Sequence, residues 1–222
     1  MKIVNKIKYE FNKSRKSWTV EGVEDSFGED YIEIASEIDG YPVKDIGSFA
    51  FSNCKTLEEV VLPDSVYQIC NYAFNNCKNL RTVMVNSVHL NIYIHGDAFC
   101  ECENLESINV KNNQLSLLSN ALKGCKNLKY IVGEISLLGN YALLDCDNLK
   151  ALIFANNAMI DEHGLMSATV ERLIFQGTVN IKTPNSFKHL FKYNLKETSI
   201  RCTTEFPYTD WVYDGLKMFV VT

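Results

Sequence analysis

The sequence predicts a right-handed repeat solenoid of β-rich α/β character, with short parallel strands along one face and short helical or 3₁₀ turns on the return. Three observations carry that prediction. One pattern recurs five times, an Ala and a large apolar residue followed at intervals of three by Cys, Leu and an apolar residue. The copies are Ala50-Phe51-Cys54-Leu57-Val60, Ala73-Phe74-Cys77-Leu80-Val83, Ala98-Phe99-Cys102-Leu105-Ile108, Ala121-Leu122-Cys125-Leu128-Ile131 and Ala142-Leu143-Cys146-Leu149-Leu152. Their cysteines are 23, 25, 23 and 21 residues apart, the period of stacked coils that are each one supersecondary unit. After each Leu the apolar residues alternate, as in Val60 and Leu62, Val83 and Val85, or Ile108 and Val110, which is the period of a strand.

Residues 1–43 read as an N-terminal cap, because residues 6–11 and 17–23 flank a polar turn like a β-hairpin and Tyr31-Ile-Glu-Ile alternates. Solenoid ends expose a cross-section of core, so terminal units must depart from the repeat to cover it. Residues 44–200 read as six to seven coils. In each, an aliphatic residue stands four before the Ala (Ile46, Ile69, Ile94, Leu117, Leu138). The segment Ala-Phe-x-x-Cys then reads as a helical or 3₁₀ turn. Asn79, Asn104, Asn127 and Asn148, with Thr56 in the first copy, precede the Leu, where their side chains are expected to satisfy backbone groups at the bend. The strands should lie side by side in parallel, and parallel crossovers are right-handed almost without exception. Leu165, Ala168, Val170 and Leu173 make a sixth unit with one residue deleted, and Phe187, Leu190 and residues 195–200 a degenerate seventh. Residues 201–222 are too aromatic for a coil and read as a C-terminal cap.

Eight cysteines raise the question of a disulfide framework or a metal site. Cys54, Cys77, Cys102, Cys125 and Cys146 hold one repeat position and should stack ~4.8 Å apart between paired coils, which favours unbonded thiols filling a narrow inner corner over disulfides. Such a ladder belongs in a reducing compartment. Cys100-Glu101-Cys102 resembles half a metal site, but no second pair stands at a zinc-like spacing. No metal and no cofactor is expected.

The net charge of -5 excludes a general nucleic-acid or anionic-membrane binder. Charge is uneven at the start: six Lys and Arg crowd the first sixteen residues, while residues 21–39 hold eight acids and no base. The opening residues lack the apolar core of a secretory signal, and no run is long enough to span a membrane. The chain as written is therefore expected in the cytoplasm, or on the surface or secreted if a leader was removed.

The strings Ile46-Gly-Ser-Phe-Ala-Phe-Ser-Asn-Cys-Lys-Thr-Leu-Glu-Glu-Val-Val-Leu-Pro63 and Ile69-Cys-Asn-Tyr-Ala-Phe-Asn-Asn-Cys-Lys-Asn-Leu resemble the BspA-type leucine-rich repeats, and Ile38-Asp-Gly-Tyr-Pro-Val43 is similar to their lead-in. The likeness covers about residues 38–176. The Phe becomes Leu122 and Leu143, the Pro of Pro63 is not repeated, and departures grow after Gly124. The resemblance implies a leucine-rich repeat binding module, of a kind associated with adhesion to host proteins or other cells, with no catalytic residues to carry over.

With Leu57, Val60 and Leu62 inward, the third outward strand position forms the row Val61, Met84, Asn109, Val132, Ile153 and Ile174. Five of the six are apolar, as at an interaction site, although strand propensity alone also places Val and Ile there. Beside it runs a mixed row, Glu59, Thr82, Ser107, Tyr130, Ala151 and Arg172, like an interface rim. These rows, apart from Ala151, are the candidate partner-binding residues, for a protein partner, with the chain a monomer or a face-to-face dimer. Three readings stand: a generic protein-binding module, a surface or secreted adhesin, and an intracellular inhibitor or effector docking on one enzyme. Catalysis is not expected. The four histidines are scattered, no hydrolase or nucleotide-binding motif occurs, and His95, near Asp97 and Cys100, holds the coil position of Gly47.

Overall fold

A computed structural model describes residues 1–87, 89, 91–176 and 179–181. The chain opens with β1 (Lys2–Val4), β2 (Ile7–Asn12) and β3 (Ser17–Val23), joined antiparallel. Next come β4 (Tyr31–Glu33), β5 (Glu37–Ile38) and β6 (Tyr41–Ile46). β5 folds back on β6 through Asp39 and Gly40, both left-handed with φ of 52° and 76°, the geometry a two-residue hairpin loop needs to match strand twist. Parallel pairing begins before the first Cys copy: Val20 of β3 lies opposite Ile46 of β6.

The following coils contribute β7 (Glu59–Leu62) and β8 (Gln68–Ile69), then β9 (Thr82–Val85) and β10 (Asn91–Ile94). Later coils use one long strand for both positions: β11 (Ser107–Leu117), β12 (Tyr130–Leu138) and β13 (Ala151–Ile160). Last come β14 (Leu173–Phe175) and β15 (Val179–Ile181). Pro63 ends β7 because it cannot donate to a ladder, and the chain turns there with the Val66 N–H on the Pro63 carbonyl. No proline interrupts the three long strands.

Two parallel faces result. The first runs β4-β7-β9-β11-β12-β13-β14 and the second β3-β6-β8-β10-β11-β12-β13-β15, joined through the long strands. The sixth unit keeps its expected register, with Val170 bridged to Leu149 and Leu173 opposite Leu152. The expected seventh unit at Phe187, Leu190 and residues 195–200, and the cap at 201–222, lie outside the described residues.

The expected helical or 3₁₀ turns are not formed: among the described residues the return segments are runs of single turns. Alternate N–H groups point two ways. Those of Ala50, Ser52 and Cys54 close local turns onto Gly47, Phe49 and Phe51, while those of Phe49, Phe51 and Asn53 donate to carbonyls of the next coil at Asn71, Ala73 and Asn75. A helix would send every N–H back along its own axis. Two left-handed residues per coil break that path, Phe49 and Asn53 in one and Tyr72 and Asn76 in the next, with φ near 60°. The coils are thereby hydrogen-bonded on this side as well as through the sheets.

The repeated residues fill the interior. Phe51, Phe74 and Phe99 are fully buried and stack with centroids 5.0 Å apart. The described cysteines are unpaired. Four ladder thiols donate to the previous coil: Cys77 to the Phe51 carbonyl and Cys102 to Phe74 at 3.0 Å, Cys125 to Phe99 and Cys146 to Leu122 at 3.2 Å. Cys54, first in the ladder, is only half-buried, since the coil before it is incomplete. Asn79, Asn104 and Asn148 donate to the Lys55, Lys78 and Lys126 carbonyls at 2.6, 2.8 and 2.7 Å, as their placement at the bend led us to expect, whereas Asn127 donates to the Asn104 side-chain oxygen at 3.3 Å.

Candidate partner-binding face

The first sheet presents its outward side chains over a fully buried layer that includes Leu57, Val60, Leu62, Val83 and Ile108. This is the predicted inside-out assignment, and the flanking row follows it closely. Glu59, Thr82, Ser107, Tyr130 and Ala151 are each directly opposite the next, and Arg172 continues the line beside Ala151.

The central row does not run straight. Val61, Met84, Asn109 and Val132 are opposite one another in turn. Between Tyr130 and Glu134 the β12–β13 register shifts, so Ile153 lies opposite Glu134, and Ile174 follows Ile153. Four β12 residues span the distance that two cover on β13, and Gly133 sits at that irregularity. Such a bulge re-aims the side chains beside it. The predicted residues therefore form two segments, with Glu134 at the join.

Their exposure is unequal. Val61, Met84, Asn109, Ile153 and Ile174 are half-buried among their neighbours, while Tyr130 and Val132 are 51% and 48% exposed. The apolar surface is thus centred on β12. Sequence reasoning missed the first rung of both rows: Tyr31 lies opposite Glu59 and Glu33 opposite Val61. The alternation of Tyr31-Ile-Glu-Ile was the signal, and it reads equally as cap or coil.

Below the sheet the charges form two ladders. Glu58, Arg81, Glu106 and Lys129 pair in sequence at 3.4, 3.6 and 2.9 Å. Lys78, Glu103 and Lys126 pair at 2.7 and 3.7 Å. Hydrogen bonds from Lys78 and Lys129 hold the Glu103 and Glu106 carboxyls below their ordinary range. These charges are already spent on each other, which makes them a rim.

The cysteine and histidine candidates do not converge on chemistry. Cys102 points into the core, whereas Cys100 bonds Asp97 at the turn, with burial pushing its pKa up to about 11. A raised pKa suppresses the nucleophilic thiolate. His95 takes its coil position as a half-buried side chain whose Nε2 makes no hydrogen bond. Among the described residues no group of three His, Cys, Asp or Glu could hold a metal ion, and no helix is long and apolar enough to cross a membrane.

A family profile described as BspA type Leucine rich repeat region matches the chain in six copies, over residues 36–150 and 87–194. No curated protein matches it. Among solved structures, it is similar to a leucine rich cell surface protein from Faecalibacterium prausnitzii, with 22% identity and a TM-score of 0.69, over 92% of this chain and 55% of that one. A leucine-rich repeat protein from Bacteroides capillosus matches with 24% identity and a TM-score of 0.48, over 59% of this chain and 96% of that one. The chain spans about half the length of the Faecalibacterium protein.

Proposed function

Since the chain belongs to the BspA-type leucine-rich repeat family, a family of interaction and surface repeat modules, we propose that it is a non-catalytic protein-binding module that receives its partner on the outward side of the β4–β14 sheet. The observation that supports this reading is the exposed pair Tyr130 and Val132 at the centre of a ladder-locked strip, flanked by self-paired charges. An aromatic and an aliphatic anchor inside a polar rim is the layout of a binding hot spot. The anchoring residues are Val61, Met84, Asn109, Val132, Ile153 and Ile174, with Glu59, Thr82, Ser107, Tyr130 and Arg172 beside them. Residues 1–43 close the N-terminal end of the solenoid, with β3 and β4 supplying the first parallel strands of its two sheets.

The description of the Faecalibacterium protein as a cell surface protein supports the adhesin form of this reading, in which the partner is a host protein. The test uses the immobilised chain and its Val132→Glu and Ile153→Glu variants, offered solubilised host-cell surface proteins. A protein that wild type captures should bind each variant about tenfold more weakly, with the thermal midpoint moving by no more than about 2 °C. Equal binding by all three chains removes the face from consideration. Loss of a dimer in Val132→Glu, seen by sedimentation, makes the occupant a second copy.

A further inference from the structure

The two sheets end differently on the N-terminal side. Beyond β3 the second sheet is continued by β2 and β1, so its ladder is carried across the end of the core. Among the described residues the first sheet has no further strand beyond β4, which pairs with β7 alone. The hydrogen bonds of β4 define which of its groups are left over. The Asp30 carbonyl accepts from the Glu59 N–H and the Ile34 N–H donates to Val61, so the even-numbered residues serve β7. In a parallel strand the alternate residues turn both backbone groups the other way. The N–H and C=O of Tyr31 and Glu33 therefore face the open edge.

That edge borders a cleft of about 440 Å³ that separates β4 from the β1–β2 turn, lined by Lys6, Ile7, Glu29, Tyr31, Ile32 and Glu33 among others. Ile7 and Ile32 are buried at its floor, and Tyr31 is 48% exposed at its mouth. Lys6 is held 2.7 Å from Glu29, which leaves Glu33 as the carboxylate without a cation among the lining residues, next to Val61 and one rung from Glu59. The whole segment of residues 21–39 carries eight acids and no base.

We infer that the open edge of β4 is a second binding site, which captures an extended basic peptide as an added strand of the first sheet. The added strand takes four main-chain hydrogen bonds from Tyr31 and Glu33. Its side chains alternate: one enters the cleft against Ile7 and Ile32 and so is apolar, and its neighbours emerge beside Tyr31 and Glu33. Opposite charges on facing positions stabilise a strand pair and like charges oppose it, so the residue beside Glu33 is Lys or Arg. Strand addition of this kind draws affinity from the backbone and specificity from alternate side chains. The site is distinct from the outward face and stands whether or not that face binds a protein.

The test uses the full chain and fluorescein-labelled, end-blocked Ser-Val-Val-Lys-Val-Ser, with three controls: the same peptide with Glu for Lys, the peptide N-methylated at alternate amides, and the Glu33→Lys chain. Anisotropy should show saturable binding of the Lys peptide. The N-methylated form should not bind, because its donors are gone. Glu33→Lys should weaken the Lys peptide about tenfold and reverse the preference towards the Glu peptide, and the reversal shows that the variant is folded. Amide exchange should be fast at Tyr31 and Glu33 in the free chain and slow with peptide bound. No saturable binding up to about 1 mM, equal binding of Lys and Glu peptides, or protection at Val132 in place of Tyr31 and Glu33 each overturns the proposal.

Discussion

Within one coil, the turn from Phe74 to Cys77 and the strand from Thr82 to Val85 sit on opposite sides of the same core but are built by different rules. On the turn side, left-handed residues divert every second N–H to the next coil, the Phe74 ring is stacked on both faces, and the Cys77 thiol is bonded to the coil before. Every N–H from Phe74 to Cys77 has a backbone partner, so the residue types recur. On the strand side the backbone ladders to its neighbours without help from side chains. Val83 and Val85 must fill the core, while Thr82 and Met84 face outwards and are free to differ. Irregular main chain demands repeated residues, and regular main chain releases its outward positions for recognition.

The strongest way to break this contrast is Phe74→Ala. The ring is fully buried between Phe51 and Phe99, and removing it should cost about 3–5 kcal/mol through lost burial and the cavity left behind. Denaturant titration measures it. A loss under about 1 kcal/mol would mean that the turn side is not the rigid one. Next in size is Gly139→Ala. A Cβ there would stand 2.8 Å from the Leu118 and Ser119 backbone, so the two coils must move apart where the Gly139 N–H now bonds the Leu117 carbonyl at 2.7 Å. Overpacking of this sort costs about 1–3 kcal/mol, although Cys70, His95 and Leu118 occupy the corresponding corner of other coils.

The thiols extend the contrast to pH. Burial pushes the Cys54 pKa up to about 12 and that of Cys100 to about 11, above the ordinary value near 8.5 that the unfolded chain would show. The native chain thus keeps these protons while the unfolded chain gives them up. Stability is whole below that ordinary value and declines as pH rises towards 11. The thermal midpoint should fall over that interval, and less in a Cys54→Ala, Cys100→Ala chain. A flat midpoint from pH 8.5 to 11 would show both thiols to be as solvated as free cysteine.

The sequence made the coil period, the inward residues, the thiol ladder and the Asn bonds legible, because each follows from one side chain meeting the same position in the next coil. It misled on the turns. Apolar residues at Ala50, Phe51 and Cys54 suit a helical turn, and only the left-handed backbone at Phe49 and Asn53 shows otherwise; Phe49, 60% exposed and stacked on Tyr72, gives no warning of it. The outward face was legible up to Val132. Beyond it the row depends on a register shift around Gly133, which is a property of two strands together, and counting along one strand cannot find it. Glu33 was hidden for the opposite reason, since β4 belongs to a coil without the repeat.

The smallest effect is the most discriminating, because it separates the two sides at neighbouring residues. Arg81 lies between Glu58 and Glu106 at 3.4 and 3.6 Å, all three well exposed. Asn104, on the same edge, donates at 2.8 Å to the Lys78 carbonyl. Arg81→Met should change stability by no more than about 0.5 kcal/mol and the change should vanish in ~1 M salt, since exposed ion pairs are weak and screened. Asn104→Ala should cost about 1 kcal/mol at any salt concentration, because it strips a backbone carbonyl at the bend of its donor. If the salt-dependent term proves the larger, the charged ladders are part of what winds the solenoid, and its surface is less free for a partner than the backbone geometry implies.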